Sequence, residues 1–247
     1  MELSLGQKYN RKIANAISEF NLIEDGDQII VAFSGGIDSS FLLYVLKILE
    51  KSMTIDFEIT ALTIDIGFDQ IDYSEAQKFC EELDINYYIK KTEIADIIKK
   101  KKDSNPCANC SYFRKGAITE FIKERKYKFD KIAYGHHLND VVETFLMSII
   151  YSGQIKTFLP KNRLTKAKAK VIRPLINLRE KEINEFMNNL DYTPISNNCP
   201  YSSSTKRKEM KEFINSFSDR KQILYNLAAA VRKDSVIDLW PEEKESK

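Results

Sequence analysis

The chain has 247 residues, enough for one medium domain with a small appendage, and 43 % of them are hydrophobic, so a sizeable core can be buried. Charged residues reach 30 % at a net charge of only +2, with 8 Gly and 6 Pro, which excludes a disordered chain, a collagen-like chain and a histone-like polycation. No apolar run approaches the ~20 residues of a membrane span, the opening MELSLGQKYNRKI has no signal-like stretch, and a cytoplasmic location with no membrane partner is expected. Apolar positions at helical spacing (Leu5, Tyr9, Ile13, Ala16, Ile17, Phe20) predict an amphipathic helix over 4–21. Gly26 and Asp27 break the pattern, and the β-branched run from Ile29 to Phe33 suits a strand buried on both faces. A Gly-rich turn leads into an apolar helix from Ser39 to about Leu49. A strand over 59–66, a helix over 72–83 and a strand over 85–89 follow. Residues 93–102 and 109–126 read as helices, 131–134 as a short strand ending at Gly135, 138–151 as a helix, and 171–172 as a strand stopped at Pro174. Helices alone remain, over 179–190, 204–216 and 219–232, and the tail from Pro241 is expected to be disordered.

Alternating strands and helices predict an α/β fold, a parallel twisted sheet covered on both faces, with a helical C-terminal portion. Such sheets bind ligands at the carboxyl ends of their strands. The expected division is an N-terminal helix over 1–22, the α/β domain over 23–178, the helical portion over 179–240 and a tail over 241–247.

Ser34-Gly35-Gly36-Ile37-Asp38-Ser39 stands between the first strand and an apolar helix. Two glycines let the backbone turn tightly and approach a ligand. The free N–H groups and positive dipole end of the following helix favour a phosphate. Ser34 and Ser39 add hydroxyl donors. Asp38, beside an anion, fits a Mg²⁺ ligand or a helix cap; the bland alternative is a plain connection with Asp38 as N-cap. The turn is neither a Walker loop nor a GxGxxG loop.

Four cysteines in a chain of this length do not form a secreted disulfide framework. Cys80 lies on the apolar face of a helix and reads as core. Cys107 and Cys110 form a CxxC at a helix start, where N–H groups and the dipole lower thiol pKa values. Cys199 lies far away in a loop between two helices. A zinc half-site, a dithiol redox pair and an iron–sulfur cluster all remain open. Only His136 and His137 are available as histidines, and both belong to another motif, so four Cys/His zinc ligands are hard to assemble. Three cysteines and a 4Fe-4S cluster with one open iron fit the count.

His136 and His137 follow Gly135 at a strand end, facing the same cleft as the Gly turn in a parallel sheet. His136 suits contact with nucleotide phosphates, and Asp140 suits Mg²⁺ or substrate. Arg173, the lysines at 99–102, Lys166, Lys168 and Lys170, and Lys206-Arg207-Lys208 are basic. Solvated charge is the default for each, yet the segments flanking the cysteine loops suit a phosphate backbone. RNA-binding modules such as RRM or KH are not visible, so a base would have to be turned out into the pocket.

SGGIDS after a first strand resembles the PP-loop ATP pyrophosphatases. The PCxxC pair, a third cysteine beyond the sheet, Gly135-His136-His137-Leu138-Asn139-Asp140 and Ile172-Arg173-Pro174-Leu175 with Arg179-Glu180-Lys181-Glu182-Ile183 resemble the tRNA 2-thiocytidine synthetase family among them. The resemblance spans about 10–232. Ile37 stands where that family commonly has lysine, and Asn139 where it has the first aspartate of GHHxDD. It implies ATP held by Ser34, Gly35, Gly36, Asp38, Ser39, Ile64, Gly135 and His136, and a 4Fe-4S cluster on Cys107, Cys110 and Cys199. It further implies catalytic roles for Asp38, Cys107, Cys199 and Asp140, and RNA contacts from Arg173, Lys206 and Arg207. The implied reaction is adenylation of an RNA base carbonyl followed by sulfur attack, with sulfur carried by the cluster or by a cysteine persulfide. The implied partners are tRNA, a sulfur donor such as a cysteine desulfurase or inorganic sulfide, and a second copy in a homodimer. The rivals are a PP-loop ligase of the amidotransferase or lysidine type, an ATP-binding sensor with a redox or zinc CxxC, and thiolation of a small molecule.

Overall fold

The computed structural model describes residues 3–68, 71–101, 105–125, 129–164, 169–195, 199–201 and 205–232. Lys102, Lys166, Lys168, the residues just before Cys199 and the tail from Pro241 lie outside the described residues. Six strands, β1 (Asp27–Ala32), β2 (Phe57–Asp65), β3 (Asn86–Lys91), β4 (Lys131–Ala133), β5 (Lys161–Leu164) and β6 (Ala169–Ile172), form one sheet in the order β3-β2-β1-β4-β6-β5. Five are parallel, and β5 runs antiparallel along β6, Lys161 opposite Ile172. The described helices are α1 (Gln7–Phe20), α2 (Ile37–Ser52), α3 (Ser74–Glu82), α4 (Ile94–Lys101), α5 (Pro106–Glu124), α6 (Leu138–Ser152), α7 (Glu180–Met187), α8 (Lys206–Asn215) and α9 (Arg220–Ala230).

The buried run in β1 divides between the two faces, as pleating requires. Ile29 and Val31 join one core cluster with Ala16 of α1, Phe41 and Val45 of α2, Phe79 of α3 and Ile183 of α7. Ile30 turns the other way, onto Ile118, Phe121 and Ile122 of α5. Helices α8 and α9 pack on α6 through Met210, Ile214 and Leu224 against Val142 and Leu146. The stretch after 179 is therefore split: α7 belongs to the sheet's core, while α8 and α9 extend it over α6.

Two features depart from the sequence expectations. The edge strand β5, Lys-Asn-Arg-Leu, has neither alternation nor β-branched residues; its partner β6 holds it through main-chain pairing. Helix α5 begins at Pro106 rather than 109, because the Asn105 side chain accepts the Ala108 N–H at 3.3 Å and proline occupies the first turn. That shift places Cys107 in the first turn of the helix and Cys110 at the start of the second. Successive strands run outward from β1 to β3, and the chain then returns to β4 on β1's other side. The order thus reverses between β1 and β4, which opens a crevice at their carboxyl ends.

Candidate active site

The loop after β1 is pinned from three sides. Ser34 and Ser39 hydroxyls lie 3.1 Å apart, and Ser39 and Ser40 hydroxyls each donate to the Gly36 carbonyl at 3.0 Å. Gly36 is the N-cap of α2, so Asp38 sits in the first helical turn and the capping reading of Asp38 falls. From the other side of the crevice comes the turn after β4. A Cβ on Gly135 would lie 2.9 Å from the Asp38 carbonyl oxygen and 3.2 Å from the Ser39 nitrogen, so only glycine allows this approach. The third support comes from the chain beyond α7. Gly35, with φ +73°, accepts on its carbonyl from the Ile195 N–H at 2.9 Å and the Tyr192 hydroxyl at 2.7 Å. Ile195 covers Gly35 so closely that a Cβ there would meet its Cδ1 at 2.3 Å.

Carboxylates and imidazoles converge beside this loop. The buried His137 ring reaches Asp38 at 3.7 Å from Nε2 and Asp140 at 3.4 Å from Nδ1, and Nδ1 has no hydrogen-bond partner. Asp140 also accepts the His137 main-chain N–H at 2.9 Å, and Arg207 pairs with its other oxygen. Burial pushes the Asp38 carboxyl up from its usual range. Burial acts on Asp140 the same way, but His137, His136 and Arg207 outweigh it and hold that carboxyl low. His136 is half-buried, and its desolvation lowers its pKa to about 4, so it is neutral at pH 7. Arg173 Nε donates to His136 Nδ1 at 3.3 Å, which assigns the imidazole proton to Nε2.

Two cavities of about 620 Å³ each meet at this point. The first is lined by Ser34, Gly36, Asp38, Ser39, Ile64, Gly135 and Asp140. The second is lined by Cys107, Cys110 and Cys199, with Arg173 and Thr205. Ile66, Arg114, Tyr134, His136 and Arg207 border both, so one wall of side chains divides them. None of the three thiols forms a disulfide; Cys107 is exposed, and Cys110 and Cys199 are half-buried. Burial and then the neighbouring Cys199 push the Cys107 thiol up; for Cys110 burial raises it, Arg114 pulls it down, and Cys199 and Cys107 raise it further. Cys80 is fully buried in the core, its thiol pushed up to about 12 by burial.

Among the described residues no three Cys, His, Asp or Glu side chains group tightly enough to hold one metal ion. The zinc reading therefore lacks a donor set there, whereas three thiols spread around one cavity suit a polynuclear cluster with three protein ligands. Arg173 is buried and occupied by His136, the Leu159 carbonyl and Asn162, so RNA would meet it only inside the cavity. Lys206 is exposed, its ammonium 4.0 Å over the Tyr151 ring. Lys170 lies at the amino end of its strand and pairs with Glu24. The sequence pattern singles out neither Arg114 nor Tyr192 nor Ile195, and it places His137 at the cleft without a role of its own. Arg114 alone left a readable trace, four residues after Cys110 and so on the same helix face.

An ATP-type phosphate loop at the switch point of a parallel sheet defines a class, and the family model described as "PP-loop domain" matches residues 5–216. The chain is 36 % identical over 211 residues to tRNA-cytidine(32) 2-sulfurtransferase 1 of Francisella philomiragia, covering 84 % of this chain and 82 % of that one. It is 33 % identical over 218 residues to the tRNA-cytidine(32) 2-sulfurtransferase of Geotalea uraniireducens, covering 87 % and 86 %. A similar solved structure is the U34-tRNA thiolase NcsA of Methanococcus maripaludis with its [4Fe-4S] cluster, at TM-score 0.75 and 25 % identity, covering 91 % of this chain and 77 % of that one. The chain belongs to the PP-loop family, and within it with the tRNA-cytidine(32) 2-sulfurtransferases. No described helix is long and apolar enough to cross a membrane.

Proposed function

We propose that this protein is an ATP-dependent tRNA sulfurtransferase that adenylates the C2 carbonyl of a cytidine and replaces its oxygen with sulfur. The observation that carries this reading is the shared wall: the phosphate loop and the three thiols open onto adjoining cavities, so one base can meet both. The names of the relatives support cytidine in tRNA as the target.

A base carbonyl is a poor electrophile because oxide leaves badly. Attack of its oxygen on the α-phosphorus of ATP breaks the bond to pyrophosphate and turns that oxygen into part of AMP, a good leaving group. Gly36, Ser34 and Ser39 cradle the departing pyrophosphate, with the amides and dipole of α2 offsetting its charge. Asp38 and Asp140 supply carboxylate oxygens for Mg²⁺, the phosphates supplying further ligands. His136, neutral with its proton on Nε2, donates to a phosphate oxygen without adding charge. Cys107, Cys110 and Cys199 hold the 4Fe-4S cluster, which when bound supplies the sulfur nucleophile. Lys206 and Arg207 guide the RNA backbone to the mouth. The sulfur source is a cysteine desulfurase or inorganic sulfide, the active form a homodimer, and the location the cytoplasm.

The test is anaerobic incubation of the reconstituted protein with tRNA, ATP and sulfide, then mass spectrometry of the nucleosides. The expected products are 2-thiocytidine, AMP and pyrophosphate. Cys199→Ala is expected to lose bound iron and thiolation together. AMP formed without thionucleoside, from a protein free of iron, would instead establish the ligase-type alternative.

A further inference from the structure

Arg114 occupies a position that the reaction outlined above leaves unassigned. It lies one helical turn beyond Cys110 on α5, and its guanidinium hydrogen-bonds the Cys110 thiol. It borders both cavities, and its charge reaches Tyr134 in the same wall. Its Nε–H is buried and has no hydrogen-bond partner. The contrast with Arg207 is informative: that arginine shares the wall but pairs with Asp140 and donates to Thr144 at 3.3 Å. Among the described residues no carboxylate forms an ion pair with Arg114. A guanidinium held in a pocket wall with no counter-charge among the described residues, and with its Nε–H unmet, is costly unless an anion arrives to meet it.

We propose that Arg114 is a catalytic residue that binds the phosphate of the adenylated base at the boundary of the two cavities, and holds it while sulfur displaces AMP. This rests on the thiolation reading above. During adenylation the base oxygen bonds to phosphorus as the bond to pyrophosphate breaks. In the second step a C–S bond forms from hydrosulfide, and the C–O bond breaks with its electron pair leaving on AMP. The hydrosulfide proton goes to water, and no oxidant or reductant is required. The phosphate carries negative charge in both steps and lies between the loop that releases pyrophosphate and the thiols. A planar guanidinium in the dividing wall meets it from the thiol side with two parallel N–H donors, a geometry a lysine ammonium does not offer.

The test compares full-length wild type with Arg114→Lys and Arg114→Met after anaerobic reconstitution. Four quantities are read: iron and sulfide per chain, ATP affinity by calorimetry, tRNA-dependent AMP release, and thionucleoside. The expected result is unchanged iron and ATP affinity, with AMP release and thiolation falling together by about 100-fold in both variants, mainly in kcat. Normal AMP release, or thiolation falling only in proportion to lost iron, would overturn the proposal and leave Arg114 as a prop for Cys110. Because Arg114→Lys keeps the charge and the aliphatic stem, it guards against a fold loss in Arg114→Met. A wild type that makes no thiolated tRNA removes both readings, whereas an active wild type with an unimpaired Arg114→Lys removes this one alone.

Discussion

Strands β1 and β4 each carry buried charge at both ends, and the two ends are built on opposite terms. At the amino ends, Lys131 is 1 % exposed and its ammonium meets Asp27 and, at 2.8 Å, Glu24. The Glu24 main-chain N–H closes the cluster by donating to Asp27, and the hydrogen bond from Lys131 draws the Glu24 carboxyl down to about 2. At the carboxyl ends, the His137 ring stands 3.7 Å from Asp38 and 3.4 Å from Asp140, with an imidazole nitrogen unmet and the Asp38 carboxyl pushed up by burial. The first cluster consumes its own hydrogen-bonding capacity and holds the sheet together. The second keeps capacity in reserve, which is what a site for phosphate and a divalent cation requires.

This contrast can be broken by substitution. Lys131→Met removes the cation from the buried Lys131–Asp27 pair and is expected to destabilise the protein by about 3–5 kcal/mol, read as a large fall in Tm. ATP affinity of the protein that remains folded should not change; a loss of affinity greater than the loss of folded protein would erase the distinction between the ends. Asp38→Asn should do the reverse. Pyrophosphate release is expected to fall about 100-fold while Tm of the nucleotide-free protein holds or rises, because a desolvated carboxylate is relieved. A lowered Tm with retained activity would mark Asp38 as structural. Glu143 sharpens the comparison with a smaller effect. It is 4 % exposed on α6 beside Asp140, and burial and then the Asp140 charge raise its carboxyl to about 7, against 4.5 unperturbed. The folded state therefore binds a proton that the unfolded state has released between pH 4.5 and 7, so this group's contribution declines as pH rises through that window. Glu143→Gln is expected to flatten that decline and to raise stability by about 1 kcal/mol at pH 8, with no gain at pH 4. Parallel Tm profiles for the variant and wild type would refute it.

Much of the nucleotide end was legible because its signals are local. SGGIDS and GHH place glycines and polar groups directly after strands, and strand ends are where a parallel sheet presents ligands. The meeting of Cys107, Cys110 and Cys199 at one cavity fits their number and the family resemblance of the CxxC pair and the distant third cysteine. The remaining features depend on contacts that sequence spacing does not encode. Strand β5 has no periodic pattern because its side chains are half-exposed and its pairing is main-chain. Arg173 reads as a basic surface residue, yet its guanidinium turns inward to His136 and Asn162. Arg114 reads as one more helix cation until the cavity walls are seen. The closure of Tyr192 and Ile195 over Gly35 links positions 157 residues or more apart, beyond any local rule.

That closure has a consequence for how the molecule can vary. Ile195 is four residues from Cys199, and it rests on the α-carbon of Gly35 where no side chain fits. The phosphate loop and the segment that leads to Cys199 are thus interlocked at Ile195: any methyl group added at position 35 displaces that side chain as well as straining the turn. Drift at 35, 192 and 195 is constrained jointly, and a graft of this loop into another scaffold must carry its overlying strap with it.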